Sequence, residues 1–249
     1  MSRLLKAEFN SIYRKPKLYV LLGILVVAFG LGILIDHFVK GEPSWGYNMV
    51  NLFYPFLAII LTSDITHKEY KFHTMKNLIG SGFSRKQIYF GKLIVTLGSS
   101  FAFLLVAEIL KIVYAVINHH LATKIYPVAE IVDAIRCLGM FTIIFIISVL
   151  IVSDGLSLFA SFVYGVLFNP IFSLAAIPLQ ISDKVASIIK AALLISTDAY
   201  LKIERNPKTA AITSAKIIPS GIIWCVVGIA VAVGLLILGY EVFKRKEFK

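Results

Sequence analysis

Charge is scarce in this chain: Asp, Glu, Lys and Arg make up 16% of its 249 residues, against roughly 25% in soluble domains. A water-facing surface cannot be assembled from so little, and a soluble globular fold is excluded. Acidic residues are the scarcest, 14 against 25 Lys and Arg, which leaves a net charge of +11. Only two cysteines occur, Cys137 and Cys225, 88 positions apart and in or beside apolar runs. That spacing gives no disulfide framework, and with no second cysteine or histidine beside either it gives no metal cluster; small buried side chains are expected. Catalytic signatures are missing as well. There is no H-E-x-x-H and no G-x-S-x-G. Gly91-Lys92 imitates the end of a phosphate-binding loop, but position 86 is Lys and position 93 is Leu, so the chain holds no ATP site of its own. The five histidines form no ligand set: His67 and His73 lie six apart, and His119 and His120 are adjacent. Interfacial or hydrogen-bonded roles are expected for them. Internal repeats and low-complexity stretches are also lacking, which leaves one domain, residues 1–249.

What the chain has in abundance is apolar sequence. Hydrophobic residues make up 58% of it, and the mean hydropathy is +0.85. They fall into separate long runs, and about 20 apolar residues suffice for a helix to cross about 30 Å of hydrocarbon. Six spans follow: Leu18 to Phe38, Trp45 to Ser63, Leu93 to Ile117, Ala134 to Val152, Leu156 to Leu179, and Ile217 to Tyr240. The expected fold is an all-α integral membrane protein. No small-x-small cleavage site follows the first span, so it is expected to stay as an anchor.

Lys and Arg set the orientation. The N-terminal segment, the loop after span two and the C-terminal tail together hold 15 of the 25 basic residues. Six spans place those three segments on one side, which is expected to be cytoplasmic, with both termini inside. The basic residues sit beside apolar spans, so anionic lipid is the expected partner of that charge and nucleic acid is not. The segment 180–216 holds six basic residues and is nevertheless expected outside, because long loops translocate despite charge.

Residues 1–17 read as an amphipathic surface helix, with Leu5, Phe9, Ile12 and Tyr13 on one stripe and Arg3, Lys6 and Arg14 on other faces. The loop 64–92 is the most informative stretch. Phe72, Met75, Leu78 and Ile79 form one apolar stripe on a short helix, which Gly80-Ser81-Gly82 then ends. Ser84 with Gln87 is a capping-box pattern that starts the next helix. The stripe either docks another protein or packs on the inner ends of the spans.

Deeper in the chain, Glu108 and Lys111 share a helical face three residues apart and can pair. Glu108 lies about 24 Å beyond Lys92 at about 1.5 Å per residue, in the outer third of span three. The two form a structural ion pair or line a substrate path. Asn169-Pro170 is expected to break span five, since proline removes a backbone donor. Beyond it, Ser182-Asp183 starts an outer helix with Ile181, Val185, Ile188, Ile189 and Ala192 on one face, re-entrant or interfacial. Ala28 with Gly32, and Ala230 with Gly234, offer close helix contacts.

The inner loop resembles that of the ABC-2-type permeases. The residues are Glu69, then His73-Thr74-Met75-Lys76-Asn77-Leu78, then Gly82-Phe83-Ser84-Arg85, then Lys92 entering a span. Members often carry Gly where this chain has His73. The layout is similar too: a basic amphipathic N-terminal helix, six spans and a long outer segment. Within that family the chain looks most like small stand-alone exporter permeases, such as those for bacitracin, for lantibiotic immunity and for phenol-soluble modulins. The resemblance implies that the loop is a coupling helix inserted into a separate ATP-binding subunit, which holds the ATP and Mg. Glu69, Tyr70, Phe72, Thr74, Lys76 and Asn77 would be its contacts, and Arg85 would brace the turn. It also implies a second permease copy or a related permease, a bacterial plasma membrane and an export role, with no enzymatic site in this chain. The expected cargo is hydrophobic or amphipathic, because a bundle with so few buried polar groups offers little to a hydrated solute. A secondary transporter or channel is the alternative, and it would more often show midplane polar groups and an inverted repeat. A membrane-embedded enzyme ranks third.

Overall fold

The computed structural model describes residues 2–38, 45–71, 75–117, 127–151, 153–167, 185, 188–189, 201–205, 212–217 and 219–245. Helices form its body: α1 (Ser2–Tyr13), α2 (Pro16–Phe38), α3 (Trp45–Lys71), α4 (Met75–Gly80), α5 (Arg85–Ile117), α6 (Pro127–Leu150), α7 (Asp154–Phe162) and α8 (Pro219–Arg245). The last turn after α7, Val163–Leu167, widens to π geometry. Five helical stretches are long and apolar enough to cross a bilayer: Pro16–Phe38, Asn48–Lys68, Arg85–Ile117, Ile131–Leu150 and Val226–Arg245. The protein is a multi-pass membrane protein.

Of the fifth expected span, Leu156 to Leu179, the described residues hold the apolar helical stretch Asp154–Leu167; the rest, including Asn169 and Pro170, lies outside the described residues. One expectation needs correction: the segment 180–216 is not helical throughout. Val185, Ile188 and Ile189 are helical, but β1 (Leu201–Arg205) pairs antiparallel with β2 (Ile212–Ile217). Leu201 faces Ile217 across the ladder and Ile203 faces Ala215. Leu-Lys-Ile-Glu and Ala-Lys-Ile alternate apolar and polar at period two, which is a strand pattern rather than a helical one.

Along the bundle, α2 packs on α3, α3 on α5 and α6, and α6 on α8. One core gathers Leu25 and Phe29 of α2, Tyr54 and Leu57 of α3, Phe103 and Tyr114 of α5, and Phe141 and Ile144 of α6. Close approach comes from glycine where α2 meets α3. A Cβ on Gly32 would lie 2.6 Å from the Gly46 Cα, and one on Gly46 would lie 2.6 Å from the Tyr114 ring. The expected contact through Gly32 and Ala28 is present, since both are buried in the bundle. Gly234, by contrast, has open space around its Cβ position and Ala230 is exposed.

At the same end, Asp36 ties three helices together. Its carboxylate accepts from the Trp45 and Gly46 backbone N–H groups at 2.9 and 3.1 Å, at the start of α3. It also accepts from the Tyr114 hydroxyl at 2.8 Å. An acidic group at a helix N-terminus satisfies donors that the helix leaves free and meets the positive end of its dipole.

Candidate functional site

The opposite end of the bundle is basic, and its order begins in the loop sequence. Gly82 takes φ +87°, a left-handed conformation that glycine adopts without strain. Gly82 N–H then bonds the Ile79 carbonyl at 3.0 Å and Phe83 N–H bonds the Leu78 carbonyl at 3.3 Å, the paired bonds that close a helix end at glycine. Two residues on, Ser84 N–H donates to Gln87 Oε1 at 3.0 Å and Gln87 N–H donates to Ser84 Oγ at 3.2 Å. The capping box therefore forms as its residues predict.

These two devices fix α4 against the bundle. Met75 is buried, and Leu78 and Ile79 pack with it against Tyr89 of α5, Phe145 and Val149 of α6, and Phe243 of α8. Burying Met75 contributes about 1.5–3 kcal/mol. Of the two roles open to the apolar stripe, the described residues take the inward one. Lys76 and Asn77 occupy the exposed face, so the surface that α4 offers to a partner is polar. Glu69 and Tyr70 lie in the last turn of α3. Phe72 and Thr74 lie outside the described residues. Arg85 opens α5, and its guanidinium donates to the Lys244 carbonyl near the end of α8. It thereby ties the loop's exit to the C-terminal helix.

The end of α3 is a junction. From Asp64 to Lys68 its residues reach one neighbouring element after another. Asp64 accepts from Lys15 Nζ at 2.8 Å and from Lys17 Nζ at 2.9 Å, holding the turn between α1 and α2. These groups are partly exposed, so each pair is worth about 1 kcal/mol or less. The Ile65 carbonyl accepts from Lys92 Nζ of α5 at 2.8 Å. The His67 ring, buried, reaches Ile151 past the end of α6. Lys68 Nζ donates to Ser11 Oγ of α1 at 2.7 Å and lies 4.0 Å from Glu8. Glu8 is buried on the inward stripe of α1 with Leu4 and Ile12, while Tyr13, expected on that stripe, is exposed. Arg3, Lys6 and Arg14 are exposed as expected.

A second polar group lies within the half of the bundle away from the basic end. Lys111 Nζ pairs with Glu108 Oε1 at 2.7 Å and sits 6.0 Å from the centroid of the Tyr54 ring. The Tyr54 hydroxyl lies 2.7 Å from Cys137 Sγ. Arg136 pairs with Asp133 at 2.7 Å and reaches Cys137 Sγ at 3.3 Å. The expected Glu108–Lys111 pair is formed. The neighbouring Asp133–Arg136 pair escaped the sequence reading, although its i, i+3 spacing is the same signal. Cys137 is a free, fully buried thiol; the Cys225 side chain lies outside the description.

Comparison with known proteins adds one match and one blank. Residues 4–176 match the family described as ABC-2 family transporter protein, a stretch covering every helix from α1 to α7. Among curated proteins none matches the sequence.

Proposed function

The chain belongs to the ABC-2 family of transporter proteins, and from that premise we propose that it is the permease subunit of an ATP-driven exporter, moved by a separate ATP-binding subunit docked on the basic end of the bundle. The observation that carries this reading is the placement of α4. It is a short helix capped at its end, seated by its apolar side on α5, α6 and α8, and showing Lys76 and Asn77 outward. A lever of this kind needs a rigid seat on the helices it moves and a polar face whose charges set register with a partner. The junction at the end of α3 supplies the connections through which a push there would spread.

On this reading the chain crosses the membrane six times, the basic end is cytoplasmic and both termini are inside. Two permease copies, identical or related, join two ATP-binding subunits that hold the ATP and Mg, in a bacterial plasma membrane. The cargo is hydrophobic or amphipathic, a peptide or a lipid-like molecule. A groove between α5, α6 and α8, lined by Leu97, Phe101, Leu138, Ile229 and Val233 with Thr142 as its only hydroxyl, suits such a molecule. The Thr142 hydroxyl donates to the Leu138 carbonyl at 2.9 Å and adds little polarity.

The test uses the residues that flank the lever. Phe72→Ala and Glu69→Lys should leave the chain in the membrane while the ATPase activity that co-isolates with it falls at least about tenfold, the loss expected when a central anchor is removed. Undiminished co-isolation together with full export would contradict the assignment.

A further inference from the structure

α6 and α7 meet at an elbow beside Ser153, on the basic end of the bundle, and both sides of that elbow are held by one face of α3. Ile151 follows the last residue of α6, and its own N–H bonds the Ile147 carbonyl at 3.0 Å. Its carbonyl belongs to the set that a helix end leaves without an intrahelical donor. His67 Nε2 lies 2.7 Å from that oxygen. A carbonyl can only accept, so in this bond Nε2 is the donor. Across the elbow, Ser63 Oγ donates to Asp154 Oδ1, at the first residue of α7, at 2.9 Å. His67 Nδ1 lies 3.8 Å from the same carboxylate oxygen. Ser63 and His67 are four residues apart and so stack on one face of α3.

His67 is 2% exposed and stands four residues before α3 ends at Lys71, with three residues then leading to α4. We infer that His67 is a positioning residue that passes displacement of α4 and the end of α3 to the α6–α7 elbow, through its hydrogen bond to Ile151. The inference rests on the reading that an ATP-binding subunit moves α4. An apolar route also joins α4 to α6, through Met75, Phe145 and Val149. The two routes differ in what they hold. The apolar contacts grip the side of α6, whereas His67 grips its terminal carbonyl beside α7. With Ser63 holding Asp154 on the far side, the His67 bond turns motion of the loop into a change of angle at the elbow.

Gly155 reports on that angle. It is exposed on α7, and a Cβ there meets nothing within 4 Å, so Gly155→Cys adds a thiol without strain. Cys137 is fully buried and stays in place; Cys225→Ser removes the other thiol. The complex, isolated from its native membranes with its ATP-binding subunit, is treated with a polar maleimide, with and without Mg-ATP and vanadate. With His67 present, nucleotide changes the labelling rate of Gly155→Cys by about fivefold or more, the range of ordinary coupling between sites. His67→Phe removes that change while chain abundance and the co-isolated subunit persist. His67→Gln, whose carboxamide N–H can reach the same carbonyl, restores at least part of it.

Four results overturn the inference: an unchanged nucleotide response in His67→Phe, equal loss in the Phe and Gln variants, loss of abundance in both, or a Gly155→Cys that ignores nucleotide in the His67 chain with its subunit bound. Absence of any ATP-binding subunit from the His67 chain itself is a different failure. It removes the proposed function first and this inference with it.

Discussion

Lys92 Nζ, on a side chain 3% exposed, donates to the main-chain carbonyl of Ile65 at 2.8 Å. A charged donor at the start of one long helix thus meets the last turns of another. Lysine entering a span is ordinarily read as a group that snorkels to the headgroups. Here it turns inward and pins α5 to α3. Hydrogen bonds made by charged groups contribute about 1.5–3 kcal/mol.

Lys92→Met removes that pin and keeps most of the side-chain volume. The thermal midpoint of the purified chain in detergent should fall by roughly 3–12 °C, taking about 2–4 °C per kcal/mol for a chain of this size. An unchanged midpoint would mean that the bond contributes nothing net to stability.

Contact between α2 and α3 depends on two hydrogens. The Gly32 Cβ position faces Gly46 backbone at 2.6 Å, and backbone cannot swing aside. The Gly46 position faces the Tyr114 ring, which its bond to Asp36 holds in place. Gly32→Ala and Gly46→Ala should each destabilise by about 1–3 kcal/mol and lower the yield of monodisperse protein in size-exclusion chromatography. Gly30→Ala, with nothing within 4 Å, should leave the yield unchanged.

The Glu108–Lys111 pair separates stability from charge. Lys111 is 2% exposed, so Glu108→Leu strips a carboxylate from a buried cation, and breaking such a pair costs about 3–5 kcal/mol. Glu108→Leu combined with Lys111→Leu should recover most of that loss, because apolar replacement of a whole buried pair is often neutral. Thermal unfolding of the two variants side by side decides it: a double variant no more stable than the single one would contradict the account.

The sequence made some of this legible and hid the rest for physical reasons. Long apolar runs announced α2, α3, α5, α6 and α8, because crossing lipid demands unbroken hydrophobicity. Gly82, Ser84 and Gln87 announced the loop's turns, because their chemistry is local. The junction at the end of α3 was not legible. Asp64, His67 and Lys68 sit in a run that reads as a solvated loop, and their hydrogen-bond partners on other elements lie 47 to 84 positions away in the chain. Glu8 was missed for the same reason, being a charge on the inward stripe of α1 that lies 4.0 Å from Lys68. The hairpin β1–β2 was overlooked for a different one. The helical periodicity of residues 181–192 was carried forward over a stretch whose alternation had changed to two. Asp36 looked like the outer end of a span, and its three donors come from the start of α3 and the end of α5.

The account stands on which side of the membrane α4 faces, and Asn77, exposed on that helix, gives direct access to the answer. A membrane-impermeant maleimide is applied to Asn77→Cys in intact cells and in inside-out vesicles, with Cys225→Ser as background. The account predicts labelling in the inside-out vesicles and none in intact cells. Labelling of intact cells from outside would put the helix beyond the reach of any cytoplasmic ATPase and would contradict the proposed function.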